Sequence, residues 1–235
     1  MNLNRWLRAF STAPSKTVLK GGSGFADISE CVLHKCRDIP LVIASKETLG
    51  HYGDIIEHES DLKTFMKNTK WPKPDGWRKI SDGTGDEQLS RIGTFRHYWQ
   101  GNICHADNEA VQRKYKIGIE SKISNTSKRS VLVRELNYHP CGSQCIFPRS
   151  AHPFIALLGA VPSGAHPDDL SFDNIRAFYF SGKHGLHIPA GVWHQPVFAV
   201  QEAVECIDMQ SSVHACVVID SIEEWGFAMN VPLEL

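Results

Sequence analysis

From Tyr115 onward the chain is written as strand after strand, and this constrains its fold more than any other feature. Tyr115, Ile117 and Ile119 alternate with Lys116, Gly118 and Glu120. Val131, Val133 and Glu135 alternate with Leu132, Arg134 and Leu136. Period-two patterning of this kind belongs to strands with one buried face. Residues 154–161 form an apolar run of buried-strand length, and residues 175–180, 192–200, 204–209 and 215–219 continue the series. No convincing helix interrupts 115–220, no repeat is evident, and no G-x-G-x-x-G occurs. Short strands with turn signals at this spacing predict an all-β sandwich or barrel.

The preceding part is less regular. A short strand is predicted at 41–43 after Pro40, and a short helix at 45–50 with Ser45 as N-cap. A turn at Tyr52-Gly53 leads into a strand, and 61–68 reads as a short helix with Leu62, Phe65 and Met66 on one face. A strand is expected at 94–99 and a loop or helical turn at 102–113. Pro, Gly, Asp and Lys crowd 71–85, so 68–112 is predicted to be a long loop-rich insertion on the surface. The expected organisation is a basic segment at 1–25, an N-terminal part at 26–114 joined to the barrel, and a barrel core at 115–235.

The first twenty residues carry Arg5, Arg8, Lys16 and Lys20, and the first acid is Asp27. Trp6, Leu7 and Phe10 share a face if this stretch is helical. The composition is that of a mitochondrial presequence, and mitochondrial localisation is expected. With 25 basic and 26 acidic residues, the net charge of −1 gives no footprint for nucleic acid. No apolar run reaches bilayer-spanning length, so no transmembrane segment is expected. Seven cysteines with no C-x-x-C pair argue against a disulfide framework; Cys141 and Cys145 read as small buried side chains.

Two polar stretches stand out from the strands. Gly185-Leu-His-Ile-Pro-Ala-Gly-Val-Trp-His194 contains P-x-G-x-x-H, a tight turn feeding a strand, and resembles the second motif of the cupin barrels. The other is Glu135-Leu-Asn-Tyr-His139-Pro-Cys-Gly-Ser143-Gln144. The cupin pattern H-x-H-x(3,4)-E, set on it, places Asn137, His139 and Gln144 at three metal-ligand positions and His194 at the fourth. Two of these are neutral amides, a weaker donor set than three imidazoles and a carboxylate. No tightly held metal and no other cofactor is expected, with a divalent ion at His139 and His194 as the other possibility.

Beyond the cupin pattern, Glu135-Leu136, His139-Pro140, Ser143-Gln144 and Pro148 match E-L-x-x-H-P-x-x-(S/T)-Q-x-x-x-P. Pro167-Asp168, Arg176-Ala177-Phe178, Gly182 and Trp193-His194-x-Pro196 follow in order, and Tyr52-Gly53-Asp54-Ile55-Ile56 matches an early Y-G-D-V-I. Over roughly 46–210 the chain resembles the ureidoglycolate lyase family. The resemblance implies a cupin-like jelly-roll barrel, a homodimer, and cleavage of ureidoglycolate, a small hydroxy-acid, to glyoxylate and urea. It assigns acid–base roles to His139 and His194 and substrate contacts to Ser143, Gln144, Arg176 and Glu135, with Glu135 also able to orient His139. The chain departs from the family at Gln195, where many members carry a second histidine, in the length of 68–112 and in its basic N-terminus. These departures suit a second reading, a non-catalytic accessory subunit of a mitochondrial complex; a metal-dependent cupin acting on another small oxo- or hydroxy-acid is a third.

Overall fold

The computed structural model describes residues 27–67, 75–81, 89–121, 128–140 and 142–235. The presequence-like stretch and Cys141 lie outside them. Among the described residues, seventeen strands form two sheets. The larger runs, in spatial order, β1 (Cys36–Asp38), β17 (Ala228–Pro232), β7 (Ser130–Val133), β6 (Arg113–Glu120), β5 (Ile103–Asn108), β4 (Ser90–Gln100), β15 (Ala203–Ser211), β9 (Gln144–Pro148), β12 (Gly185–Ile188), β3 (Asp54–Ile56). The smaller runs β16 (Val217–Asp220), β8 (Glu135–Tyr138), β13 (Trp193–His194), β10 (Phe154–Gly159), β11 (Ile175–Phe180), β2 (Leu41–Ile43), with β14 (Phe198–Ala199) also pairing β10. Most pairings are antiparallel; β1 with β17 and β2 with β11 are parallel. The α-helices are single turns: α1 (Lys46–Leu49), α2 (Leu62–Phe65) and α3 (Ser221–Trp225). This is the all-β, two-sheet architecture expected of a cupin-like chain.

Strand β10 shows why the sequence reads as it does. Every residue from Phe154 to Gly159 is buried. Ile155 and Leu157 join one core cluster with Trp193, Phe198, Leu136 and Tyr138. Phe154, Ala156 and Leu158 join another with Phe178, Phe180, Ile146 and Leu186. A strand covered on both faces is continuously apolar rather than alternating. Burying each such side chain contributes roughly 1.5–3 kcal/mol, so these two clusters dominate the stabilisation.

The run 130–138 is two strands, not one. The chain leaves the larger sheet after Val133 and enters the smaller one at Glu135. Arg134 is the pivot, with its guanidinium held by Asp220 at 2.9 Å and its Nη1 donating to the Asp27 carbonyl at 3.2 Å. Such a buried cation is tolerated only because it is paired. The expected strand at 192–200 is likewise broken into β13 and β14, with Pro196, which has no N–H to give a ladder, between them.

The expected surface insertion is corrected in its described parts. Residues 103–108, read as loop or helical turn, form β5, paired along its length with β4. Both lie in the middle of the larger sheet, where β4 pairs β15 in nine-residue register. The alternation of Cys104, Ala106 and Asn108, buried, with Ile103, His105 and Asp107 is the signal that the flanking polar text obscured. Residues 75–81 are anchored as well. The Arg78 backbone N–H donates to Asp168 at 2.9 Å and its side chain pairs Glu224 at 2.6 Å. Ile80 bridges to Val217.

Candidate functional site

His139 follows β8, and His194 ends β13. The turn before β13 is built as Pro189 and Gly191 predict: Gly191 adopts φ 82°, a left-handed value that favours glycine. Its N–H donates to the His139 carbonyl at 3.0 Å, so the turn that delivers one histidine is tied to the backbone of the other. His194 lies opposite Asn137 on β8 and Leu158 on β10. The Asn137 amide donates to the His194 carbonyl at 3.1 Å.

The two imidazoles stand with centroids 5.2 Å apart. Nδ1 of His139 lies 3.0 Å from the Ala215 carbonyl, and Nδ1 of His194 lies 2.9 Å from the Val192 carbonyl. A carbonyl only accepts, so each Nδ1 carries the hydrogen and each neutral ring keeps its lone pair at Nε2. Burial holds His194 at a pKa of about 3, with the neighbouring His139 adding to the fall and the Val192 carbonyl opposing it. Burial also lowers His139. Both rings are therefore neutral at pH 7, with acceptor nitrogens available for a proton.

Sequence reasoning missed the rest of the site. His214 packs 4.9 Å from the His139 ring, and its Nδ1 lies 3.1 Å from Gln210 Oε1. The Asp208 carboxylate accepts from three side-chain amides, Gln210 at 2.6 Å, Gln144 at 2.7 Å and Asn108 at 2.8 Å. Asp208 is fully buried, and burial raises its pKa to about 6, while the three amides hold it down from a higher value. An ionised carboxylate only accepts, so it turns the NH2 end of each amide toward itself. Gln210 must then present its oxygen to His214, which fixes the Nδ1–H tautomer there and leaves a third Nε2 lone pair. Val204, Cys206, Asp208 and Gln210 share one face of β15 and are all buried. An acid and an amide at inward positions of an otherwise apolar strand were the available signal.

Of the predicted residues, His139 and His194 are brought together, and Gln144 connects to them through Asp208, Gln210 and His214. Ser143 is not. Its hydroxyl accepts from the Lys67 N–H at 3.1 Å, because neighbouring residues entering a strand face opposite ways. Arg176 turns Nη1 back on its own segment, donating to the Asp173 carbonyl at 2.6 Å and the Ile175 carbonyl at 2.7 Å. Glu135 lies opposite Asp220, and its carbonyl accepts from the Gln195 amide. The orienting partner of His139 is the Ala215 carbonyl instead. Among the described residues, no three His, Cys, Asp or Glu side chains are arranged to hold a metal ion. At the two amide positions of the cupin set, the NH2 groups of Asn137 and Gln144 are given to the His194 carbonyl and Asp208.

Comparison with known proteins agrees with this architecture. The family model described as ureidoglycolate lyase matches residues 37–223. The ureidoglycolate lyase of Stutzerimonas stutzeri is 34% identical over 186 residues, covering 77% of this chain and 88% of that protein. That of Pseudomonas putida is 24% identical over 182 residues, covering 77% and 89%. That of Escherichia coli is 24% identical over 149 residues, covering 59% and 90%.

Proposed function

The chain belongs to the ureidoglycolate lyase family, and from that premise we propose that it cleaves ureidoglycolate to glyoxylate and urea. The observation that carries the reading is the pair of neutral, buried imidazoles, His139 and His194, whose Nδ1 atoms are committed and whose Nε2 atoms are not. The reaction needs a proton moved from the carbinol hydroxyl to the urea nitrogen. As Nε2 of His194 takes the hydroxyl proton, the oxygen's electron pair forms the carbonyl, the C–N bond breaks, and the nitrogen receives a proton. An imidazolium is disfavoured where burial and a second imidazole both oppose it, so the proton is readily passed on to the leaving nitrogen. His139 is the partner that receives or relays it. Gln144, oriented by Asp208, supplies an amide contact for the polar substrate. No step here calls on a metal ion.

The test is urea and glyoxylate release from ureidoglycolate by the isolated chain, with its mass in solution measured alongside. Stoichiometric release by a homodimer is expected. Absence of turnover, together with co-purification in a large mitochondrial assembly, would favour a non-catalytic accessory subunit instead. Mitochondrial delivery is part of the same proposal, supported by the basic, acid-free first twenty residues. A reporter fused to residues 1–25 is expected to enter mitochondria; retention in the cytosol would refute it.

A further inference from the structure

The reaction proposed above assigns no partner to the substrate's carboxylate, and Arg176 turns its Nη1 to the backbone carbonyls of Asp173 and Ile175. Two other arginines rise from the strands that carry the Asp208 network. Arg91 on β4 lies directly opposite Gln210 on β15, and Arg113 on β6 lies directly opposite Asn108 on β5. Residues paired in this way project from the same face of a sheet, with Cβ atoms roughly 4.5–5.5 Å apart. Gln210 and Asn108 both reach Asp208, at 2.6 Å and 2.8 Å, so the two arginines rise from the face that carries the polar network.

Both arginines are half-buried, and among the described residues neither has a carboxylate within ion-pair distance. The acids of the neighbouring strands are engaged elsewhere. Asp107 pairs Lys114 at 3.3 Å, Glu109 accepts from the Thr94 N–H at 3.1 Å, and Asp208 is occupied by three amides. The titratable side chains that feel these guanidinium charges, His214, Tyr115 and Cys216, are neutral at pH 7 and bring no negative charge. Arg113 and Arg91 also help depress the His214 pKa, after burial and His139, so both guanidinium charges are felt at the end of the polar network. A half-buried guanidinium gains from a counter-ion, and a carboxylate held bidentately supplies one well.

We propose that Arg91 and Arg113 form the carboxylate subsite for a small 2-hydroxy- or 2-oxo-acid, with the histidines beyond it at the reacting carbon. The assignment rests on the lyase reading for the identity of the acid and on the strand register for its place. Glyoxylate keeps the same carboxylate, so the product occupies the subsite too.

The experiment is calorimetric titration of glyoxylate and oxalate into the full chain, its Arg91→Gln and Arg113→Gln variants, and Arg176→Gln, each checked for native circular dichroism. The same proteins are assayed for KM and kcat on ureidoglycolate. Each of the two subsite variants is expected to lose at least tenfold in affinity for the acids and to gain at least tenfold in KM, with Arg113→Lys recovering part of both. Arg176→Gln should bind as the native chain does. Native-like binding by Arg91→Gln and Arg113→Gln, a loss confined to Arg176→Gln, or a native chain that binds neither acid would overturn the proposal. Arginine-dependent binding without cleavage would sink the lyase reading and leave the subsite standing. Cleavage with KM unchanged in the variants would do the reverse.

Discussion

Replacing His194 by Ala is expected to lower turnover of ureidoglycolate by on the order of a hundred- to ten-thousand-fold, the usual contribution of a positioned acid–base group. Its imidazole is oriented on both sides: the Val192 carbonyl takes Nδ1–H, and the Gly191 turn ties its strand to the His139 backbone. His139 is 5.2 Å away, centroid to centroid, and its Nδ1–H is bound to the Ala215 carbonyl, so it is held in place and cannot swing into the vacated position. The loss should fall mainly on kcat, because no substrate carboxylate contact is assigned to His194. The pH profile is a second readout. With His194 titrating at about 3 in the free chain, kcat/KM should not show the break near 6.5 that an ordinary histidine base gives. A break near 6 would belong to Asp208 and should vanish in Asp208→Asn. Retention of turnover within tenfold of native in a folded His194→Ala protein would remove His194 from the chemistry.

What was legible in the sequence depended on how local the cause was. The Ser45 cap, the turn at Gly191 and the doubly buried run of β10 are each set by a few adjacent residues, and each is found where it was expected. Strand β5 was not read, because its alternation lies between a Trp-Gln-Gly-Asn turn and the charged residues of 107–113. Its place in the middle of a sheet depends on pairing with β4 and β6. The site divides the same way. His139 and His194 sit in motifs with their own turn chemistry. Asp208 and His214 sit in no motif, and their roles come from amides on two other strands, Asn108 and Gln144, together with Gln210 on Asp208's own strand. Ser143 and Arg176 were drawn in by proximity in sequence or motif, and strand alternation and a local carbonyl pair send them elsewhere.

Acid should destabilise this fold steeply, and the buried histidines decide the sign. His97 and His194 are both buried, and burial takes each to a pKa of about 3, against 6.5 unperturbed. A depressed folded-state value means that the unfolded chain binds the proton more tightly. The contribution to stability is therefore full above pH 6.5 and is lost as pH falls from there toward 3. At pH 4 the loss is about 3 kcal/mol for each of the two histidines, at 1.36 kcal/mol per pKa unit. Asp208 acts in the opposite direction. Its folded value, about 6, lies above the unperturbed 3.8, so lowering the pH through 6 stabilises the folded chain. That gain amounts to about 2 kcal/mol by pH 4. The histidines win, with a net loss of about 4 kcal/mol, a large part of the 5–15 kcal/mol that holds a typical domain. His139 and His214 shift in the same direction as His97 and add to the loss. Urea unfolding at pH 7 and pH 4 measures it as a fall in the midpoint at nearly constant m-value. His97 has no part in the chemistry, so a folded His97→Met protein should lose about half of this two-histidine sensitivity while keeping its turnover. Asp208→Asn should show a steeper acid loss than the native chain, because the opposing carboxyl group is gone. Equal stability at the two pH values would mean that these imidazoles are not buried neutral, and the base assigned to His194 would lose its physical footing.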